Sequence, residues 1–138
     1  MNPSSRPHVA AVRTEPDRYE PFAISQGFRV GDLLFISGQA ASDDEGNVVG
    51  LGDFEAQGHQ AFHNLQRALE AGGSSLADVV KVTIFVSGAW SFDVVVALRR
   101  QYFTAPYPAD SLVEVRGLSR PELMIEIEAI AVCRDGAG

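Results

Sequence analysis

Residues 33–36 (Leu-Leu-Phe-Ile) are apolar at every position, so both faces of an extended chain there are water-avoiding. This predicts a central strand covered on both sides, running on to Ser37. It is reached from Gly-Phe-Arg-Val at 27–30 across a Gly31-Asp32 turn. A short edge strand is read at Val9 to Val12. Asp43 to Asn47 reads as a turn, with Val48-Val49 as a short return strand. Later in the chain Val80, Val82, Ile84 and Val86 alternate with Lys81, Thr83, Phe85 and Ser87, the period-two pattern of a strand. Two more strands are read near Ser111–Arg116 and Met124–Val132.

Two stretches carry the helical period instead. Gly58, Ala61, Phe62, Leu65, Ala68 and Leu69 fall on one stripe. Asp53 is a good N-cap ahead of them, with Glu55 in the first turn, and Gly72-Gly73 ends the helix. Ser75 and Asp78 suggest a capping box for a short turn. Ser91 caps a second helix running to about Phe103, with Phe92, Val95, Val96, Arg99, Tyr102 and Phe103 assigned to its inner face. The order is strands, helix, strand, helix, strands. Right-handed crossovers then lay both helices on one face of a single mixed sheet, an α+β architecture. The other face is left bare, yet its residues are not consistently polar. A half-covered apolar sheet finds a partner, which predicts a homo-oligomer with clefts between subunits.

Composition narrows the function classes. The chain has 138 residues, one domain's worth, read as a single domain over 1–138 with its core at about 8–133. Residues 1–7 are polar and proline-bearing, and the tail at 134–138 is read as frayed. Eighteen acidic and 11 basic side chains give a net charge of −7. That sign repels phosphate, so neither nucleic acid nor an anionic membrane is an expected partner. Apolar runs are too short to cross a bilayer, and the start lacks the basic-then-apolar pattern of a signal peptide. The expected location is cytoplasmic. With Cys133 the sole cysteine, no intramolecular disulfide can form.

Several segments then carry a resemblance. Gly31-Asp32-Leu33-Leu34-Phe35-Ile36-Ser37-Gly38-Gln39, Gln57…Asn64-Leu65…Leu69-Glu70-Ala71-Gly72, Leu76 to Thr83, Pro108-Ala109 with Val113-Glu114-Val115, and Ile125 to Ala131 occur in the order of the RidA/YjgF reactive-intermediate deaminase family. The chain resembles that family from about residue 24 to 132. The resemblance implies a chorismate-mutase-like α+β fold, a homotrimeric barrel, and small-molecule sites at the subunit interfaces. It also implies hydrolysis of enamines and imines such as 2-aminoacrylate to a 2-oxo acid and ammonia, with no metal and no cofactor. In the family the site uses a glycine in Ser-Gly-Gln, a glutamate opening Glu-Ile-Glu, an arginine after Pro-Ala, and a tyrosine before the second strand. Gly38 and Glu126 match. Asp110 stands at the arginine position and Ile24 at the tyrosine position.

The residues themselves support a site around Glu126. It shares a strand face with Met124, Glu128, Ile130 and Val132, opposite Ile125, Ile127, Ala129 and Ala131. Glu126 either positions or protonates water at the interface, or is a solvated edge or a salt bridge to an arginine. Asp110 either caps local backbone amides or faces the cleft, where it could share a proton with Glu126. A unit charge 4 Å from a carboxylate is worth about 4 kcal/mol at an effective dielectric near 20. An aspartate in place of an arginine therefore favours a neutral or cationic substrate. Arg99, on the apolar stripe of the second helix, either restores the lost positive charge or lays its stem on the core and pairs at the rim. Arg116 and Arg120 read as surface charge. His59 and His63 have i, i+4 spacing but no third ligand, Ser37 has no histidine partner, and Cys133 has no activating base, so no metal site or activated nucleophile is assigned. The expected function is a cofactor-free enamine or imine hydrolase with altered substrate. In it Glu126 orients water, Gly38 admits the ligand to its backbone, and Asp110 sets substrate charge. The alternative is a small-molecule-binding or regulatory trimer without catalysis; RNA cleavage fits the acidic charge least.

Overall fold

The computed structural model describes residues 8–134, and the calls on 1–7 and 135–138 lie outside them. Strands β1 (Val9–Val12), β2 (Gly27–Val30), β3 (Leu33–Ala40), β4 (Val79–Val86), β5 (Ala109–Glu114) and β6 (Ile125–Val132) form one sheet in the order β1-β2-β3-β6-β4-β5. The first three make an antiparallel meander. β6 then pairs antiparallel with both β3 and β4, while β4 and β5 are parallel. A parallel pair needs a crossover, and helix α2 (Phe92–Tyr102) provides it. The read of 134–138 as frayed needs one correction: Arg134 Nε donates to Asp78 at 2.8 Å.

Helix α1 (Phe54–Ala71) begins where Asp53 accepts a bond from the Ala56 amide at 3.0 Å and stops where the Gly72 amide returns to Ala68. Phe62, Leu65 and Leu69 on its stripe are fully buried against Leu34, Ile84, Ile125 and Ile127 of the sheet. Burial of each such side chain is worth roughly 1.5–3 kcal/mol. The two helices meet at Gly58, where an added Cβ would press on Leu98 of α2. The inner face of α2 differs from the expected one. Val95 and Leu98 are its buried residues, whereas Phe92 is 57 % exposed. An inner face drawn through the N-terminal aromatic rotated the stripe away from the i, i+3 pair that the core takes.

Other boundaries moved by a few residues. β3 continues to Ala40 through an irregularity between Ile36 and Gln39, and β5 starts at Ala109 and ends at Glu114. Val48-Val49 is not a strand: a single bridge joins Val48 to Ser42. Ser75 and Asp78 bond side chain to side chain (2.9 Å) at a 3-10 turn over Leu76–Asp78, with no capping bond to the backbone. Both helices cover the same face. On the opposite face Phe28, Leu33, Phe35, Val113 and Val132 are each 38–42 % exposed, so the bare apolar face expected from sequence is present.

Candidate functional site

Glu126 enters the site because β6 alternates. Ile125 and Ile127 point into the core, so Glu126 projects from the other face, between Phe85 of β4 and Ala40 of β3 in register. On β3 the bulge at Ser37-Gly38 breaks the alternation and brings Gly38 against the carboxyl group. A Cβ at Gly38 would stand 2.7 Å from the Glu126 carboxyl carbon. The missing side chain at Gly38 is what lets the carboxyl group lie in this position. Polar bonds fix the bulge: Ser37 Oγ donates to the Ser25 carbonyl (2.6 Å), and the buried Gln39 amide donates to Gln26 (2.9 Å) and to the Ser37 carbonyl (3.2 Å).

A third group completes this corner. The Tyr19 hydroxyl donates to the Gly38 carbonyl. Tyr19 lies just before a 3-10 turn (Glu20–Phe22), with its amide on Asp17 Oδ1 (3.0 Å) and its carbonyl accepting from Phe22 and Ile24 (3.0 and 3.2 Å). Sequence reasoning assigned the tyrosine position to Ile24, which is 49 % exposed, and missed Tyr19. The signal was a lone tyrosine between Pro16 and Pro21 in a stretch without periodicity.

The electrostatics of the corner follow from burial. Partial burial raises the pKa of Glu126, and the neighbouring Glu128 raises it further. No cation or donor among the described residues offsets this. Burial, and then the charge of Glu126, push the Tyr19 phenol up to about 12, so it stays a proton donor at neutral pH. A carboxyl group whose hold on its proton is strengthened by burial, beside a fixed phenol, can take up and return a proton.

Asp110 and Arg99 lie elsewhere. Asp110 pairs in register with Val82, whose side chain is in the core, so it points to the helix face of the sheet while Glu126 points to the other. The two carboxylates do not face one another within one chain. Asp110 is bound side-on by Arg99, with Nε to Oδ2 at 2.8 Å and Nη2 to Oδ1 at 2.9 Å, each side chain about a fifth exposed. The negative charge expected to stand free at position 110 is thus neutralised by an arginine from α2. Arg99, read from sequence as either restoring a positive charge or pairing at the rim, makes a pair.

The remaining candidates sit apart from both places. His59 Nδ1 meets the Tyr102 hydroxyl at 2.6 Å, and His63 is exposed. Among the described residues no group of three metal-ligating side chains gathers. Cys133 is buried, its thiol pKa pushed up chiefly by burial, which disfavours the reactive thiolate. Arg120 is exposed and donates to the Gly46 carbonyl at 2.7 Å; Arg116 is exposed. No helix among the described residues is long and apolar enough to cross a membrane.

This sheet order, with two helices on one face and a glycine–glutamate corner on the other, defines a RidA-like α+β protein. Comparison with known proteins agrees. The family model described as endoribonuclease L-PSP matches residues 13–133. The 2-iminobutanoate/2-iminopropanoate deaminase of Salmonella typhimurium is 37 % identical over 127 residues, which is 90 % of this chain and 96 % of that protein. The protein of the same name from Dermatophagoides farinae is 34 % identical over 108 residues, 78 % of this chain and 84 % of that one. The crystal structure of a YjgF/YER057c/UK114 family member from Mycobacterium tuberculosis superposes with a TM-score of 0.76 at 30 % identity, covering 91 % of this chain and 99 % of that one. The chain belongs to the RidA/YjgF family.

Proposed function

We propose that the protein is an enamine or imine deaminase: it hydrolyses a reactive C=N compound to the carbonyl compound and ammonia. The observation that carries this is the half-buried Glu126 carboxyl with its raised pKa, set against the bare backbone of Gly38. Relatives at 34–37 % identity that bear the name 2-iminobutanoate/2-iminopropanoate deaminase support the same reading.

In this mechanism Glu126 holds a water and accepts its proton as the water oxygen bonds to the imine carbon. The nitrogen takes up a proton to give a carbinolamine. The C–N bond then breaks, ammonia leaves, and the hydroxyl proton departs as the carbonyl forms. One water is consumed and one ammonia released, with no change of oxidation state. Tyr19 anchors the Gly38 carbonyl and so keeps the wall beside Glu126 in place. General acid–base help of this kind contributes typically 10²–10⁴-fold.

The assembly belongs to the proposal. The apolar face bearing Phe28, Leu33 and Phe35 fits closure against further copies in a trimer. Because Glu126 and Asp110 point to opposite faces of one sheet, a ligand touching both corners needs two copies. The net charge of −7 weighs against RNA as substrate. A second reading, a ligand-binding trimer without catalysis, is favoured by Asp110 at the position where the family resemblance expects an arginine.

The test is ammonia release from imines generated in place by a pyridoxal-phosphate dehydratase. Wild type should accelerate release and Glu126→Gln should lose about 100-fold or more. Equal rates for the two proteins and for buffer would leave the binding reading standing.

A further inference from the structure

We propose that the imine taken at the Glu126 corner carries a positive charge and an apolar body but no carboxylate: a protonated imine of a primary amine rather than of an amino acid. The inference rests on the deaminase reading and names its substrate class.

The register of the sheet sets what surrounds Glu126. Phe85 of β4 lies directly opposite it, and Val113 of β5 lies beyond Phe85. Residues opposite one another on neighbouring strands share a face, with Cβ atoms about 5 Å apart. Phe85 is half-buried and Val113 is exposed. One side of the carboxyl group is therefore an aromatic ring backed by a branched apolar side chain, and the other is the bare backbone of Gly38. Two residues along β6, roughly 7 Å away, Glu128 stands exposed on the same face beside Thr83. Strands β3, β4, β5 and β6 carry a single cationic side chain, Lys81. It pairs in register with Ile130, four residues or about 13 Å along the strand from Glu126. Its ammonium is already bonded to Ser111 Oγ (3.0 Å) and to the Val82 carbonyl (3.2 Å).

A carboxylate brought to this corner meets two carboxyl groups and no cation to hold it. A protonated imine meets the opposite charge of Glu126 and Glu128 and a neighbouring ring, which attracts cations over its face. Phe85 and Val113 give its apolar body a surface to lie on. If a second copy presents its Arg99–Asp110 pair here, that pair has no net charge to offer a carboxylate. The protonated imine is also the more electrophilic form, so the charge that is recognised is the charge that activates the carbon. The reaction balances: R–CH=NH2⁺ and water give R–CHO and NH4⁺, with no electron transferred. Such an iminium arises when an amine R–CH2–NH3⁺ gives two electrons and two protons to a flavin and its base, so flavin-dependent amine oxidation is the class of reaction that supplies it.

The test uses two imines with one body, made in place by flavin oxidases with oxygen as oxidant. Phenethylamine gives the imine without a carboxylate, and phenylalanine gives the imine with one. Ammonia release above the uncatalysed rate is measured with the assembled full chain. The acceleration should be at least tenfold greater for the imine from phenethylamine. Glu128→Gln should shrink that ratio several-fold, and Phe85→Leu should raise KM for the imine from phenethylamine several-fold. Glu128 is exposed, so its variant carries the test if Phe85→Leu does not fold. Equal or greater acceleration for the imine from phenylalanine overturns the inference. Calorimetry with the unreactive probes phenethylamine and phenylacetate needs no turnover: the amine should bind at least tenfold more tightly, and equal binding also overturns the inference. The two readings separate cleanly. A protein that releases ammonia equally from both imines keeps the deaminase reading and loses this substrate class. One that is inert towards both yet selects phenethylamine over phenylacetate, with the selection weakened in Glu128→Gln, loses the deaminase reading and keeps the charge selection at the corner.

Discussion

Glu126 and Asp110 are both carboxylates projecting from strands of one sheet, and the molecule treats them in opposite ways. Asp110 receives a two-bond clamp from Arg99. Glu126 receives burial and a like-charged neighbour, and its pKa rises. Satisfying a charge makes it part of the framework. Withholding a partner keeps a group ready to exchange protons, at a cost in stability. The same side-chain chemistry therefore gives a neutralised group on the outer strand β5 and a group with a raised proton affinity on the central strand β6.

The comparison breaks most easily at Gly38. Its replacement by alanine would push on Glu126, whose carboxyl end is flexible and can swing aside. Gly38→Ala should therefore lower ammonia release about 100-fold, with a loss in stability of no more than about 1 kcal/mol by denaturant titration. A large stability loss would mean the corner is structural.

Asp110→Ala should show the opposite balance. It leaves the Arg99 guanidinium mostly buried and unpaired, which should cost about 1–3 kcal/mol of unfolding free energy. A neutral result would show that water or Arg100's surroundings already satisfy Arg99. Tyr19→Phe removes one hydroxyl and the bond to the Gly38 carbonyl. About 1 kcal/mol of stability and a several-fold loss in kcat are expected.

The smallest effect is the pH dependence of Glu126. Its folded pKa lies above the ordinary value, so the folded state holds the proton more tightly than the unfolded chain. Its contribution is intact below the unfolded pKa, near 4.3 for glutamate, and is lost as pH rises through the folded value. Glu126→Gln should therefore raise Tm at pH 7, and the gain should vanish towards pH 4. Thermal melts across that range check the sign. A variant less stable than wild type at neutral pH would show that the carboxylate is satisfied after all.

Regular elements were legible because periodicity is a local property. Asp53 and Gly72 mark the ends of α1 in the sequence, and the alternation over 80–86 marks β4. Glu126 and Gly38 were found through the family resemblance, and the alternation of β6 explains the face Glu126 takes. Tyr19 was not legible. It sits in a stretch without period, and its partner is a backbone carbonyl 19 residues away, which no side-chain pattern records. The Arg99–Asp110 pair was half legible. Both residues stood out as anomalies, an arginine on an apolar stripe and an aspartate at a strand start. Their meeting depends on how the α2 crossover returns to the sheet. Phe92 misled because hydrophobicity alone does not say which side of a helix end faces the core.

One feature of the topology also has a consequence in time. β6 is the last strand among the described residues, yet it lies in the middle of the sheet, wedged between β3 and β4. Until the ribosome has released residues 125–132, those two strands each present an open edge and have no contact through the sheet. The nascent chain must carry two unjoined half-sheets, with apolar edges of the kind that invite wrong pairing. Glu126 arrives with the strand that joins them, so the Glu126–Gly38 corner and the finished sheet come into being in the same step.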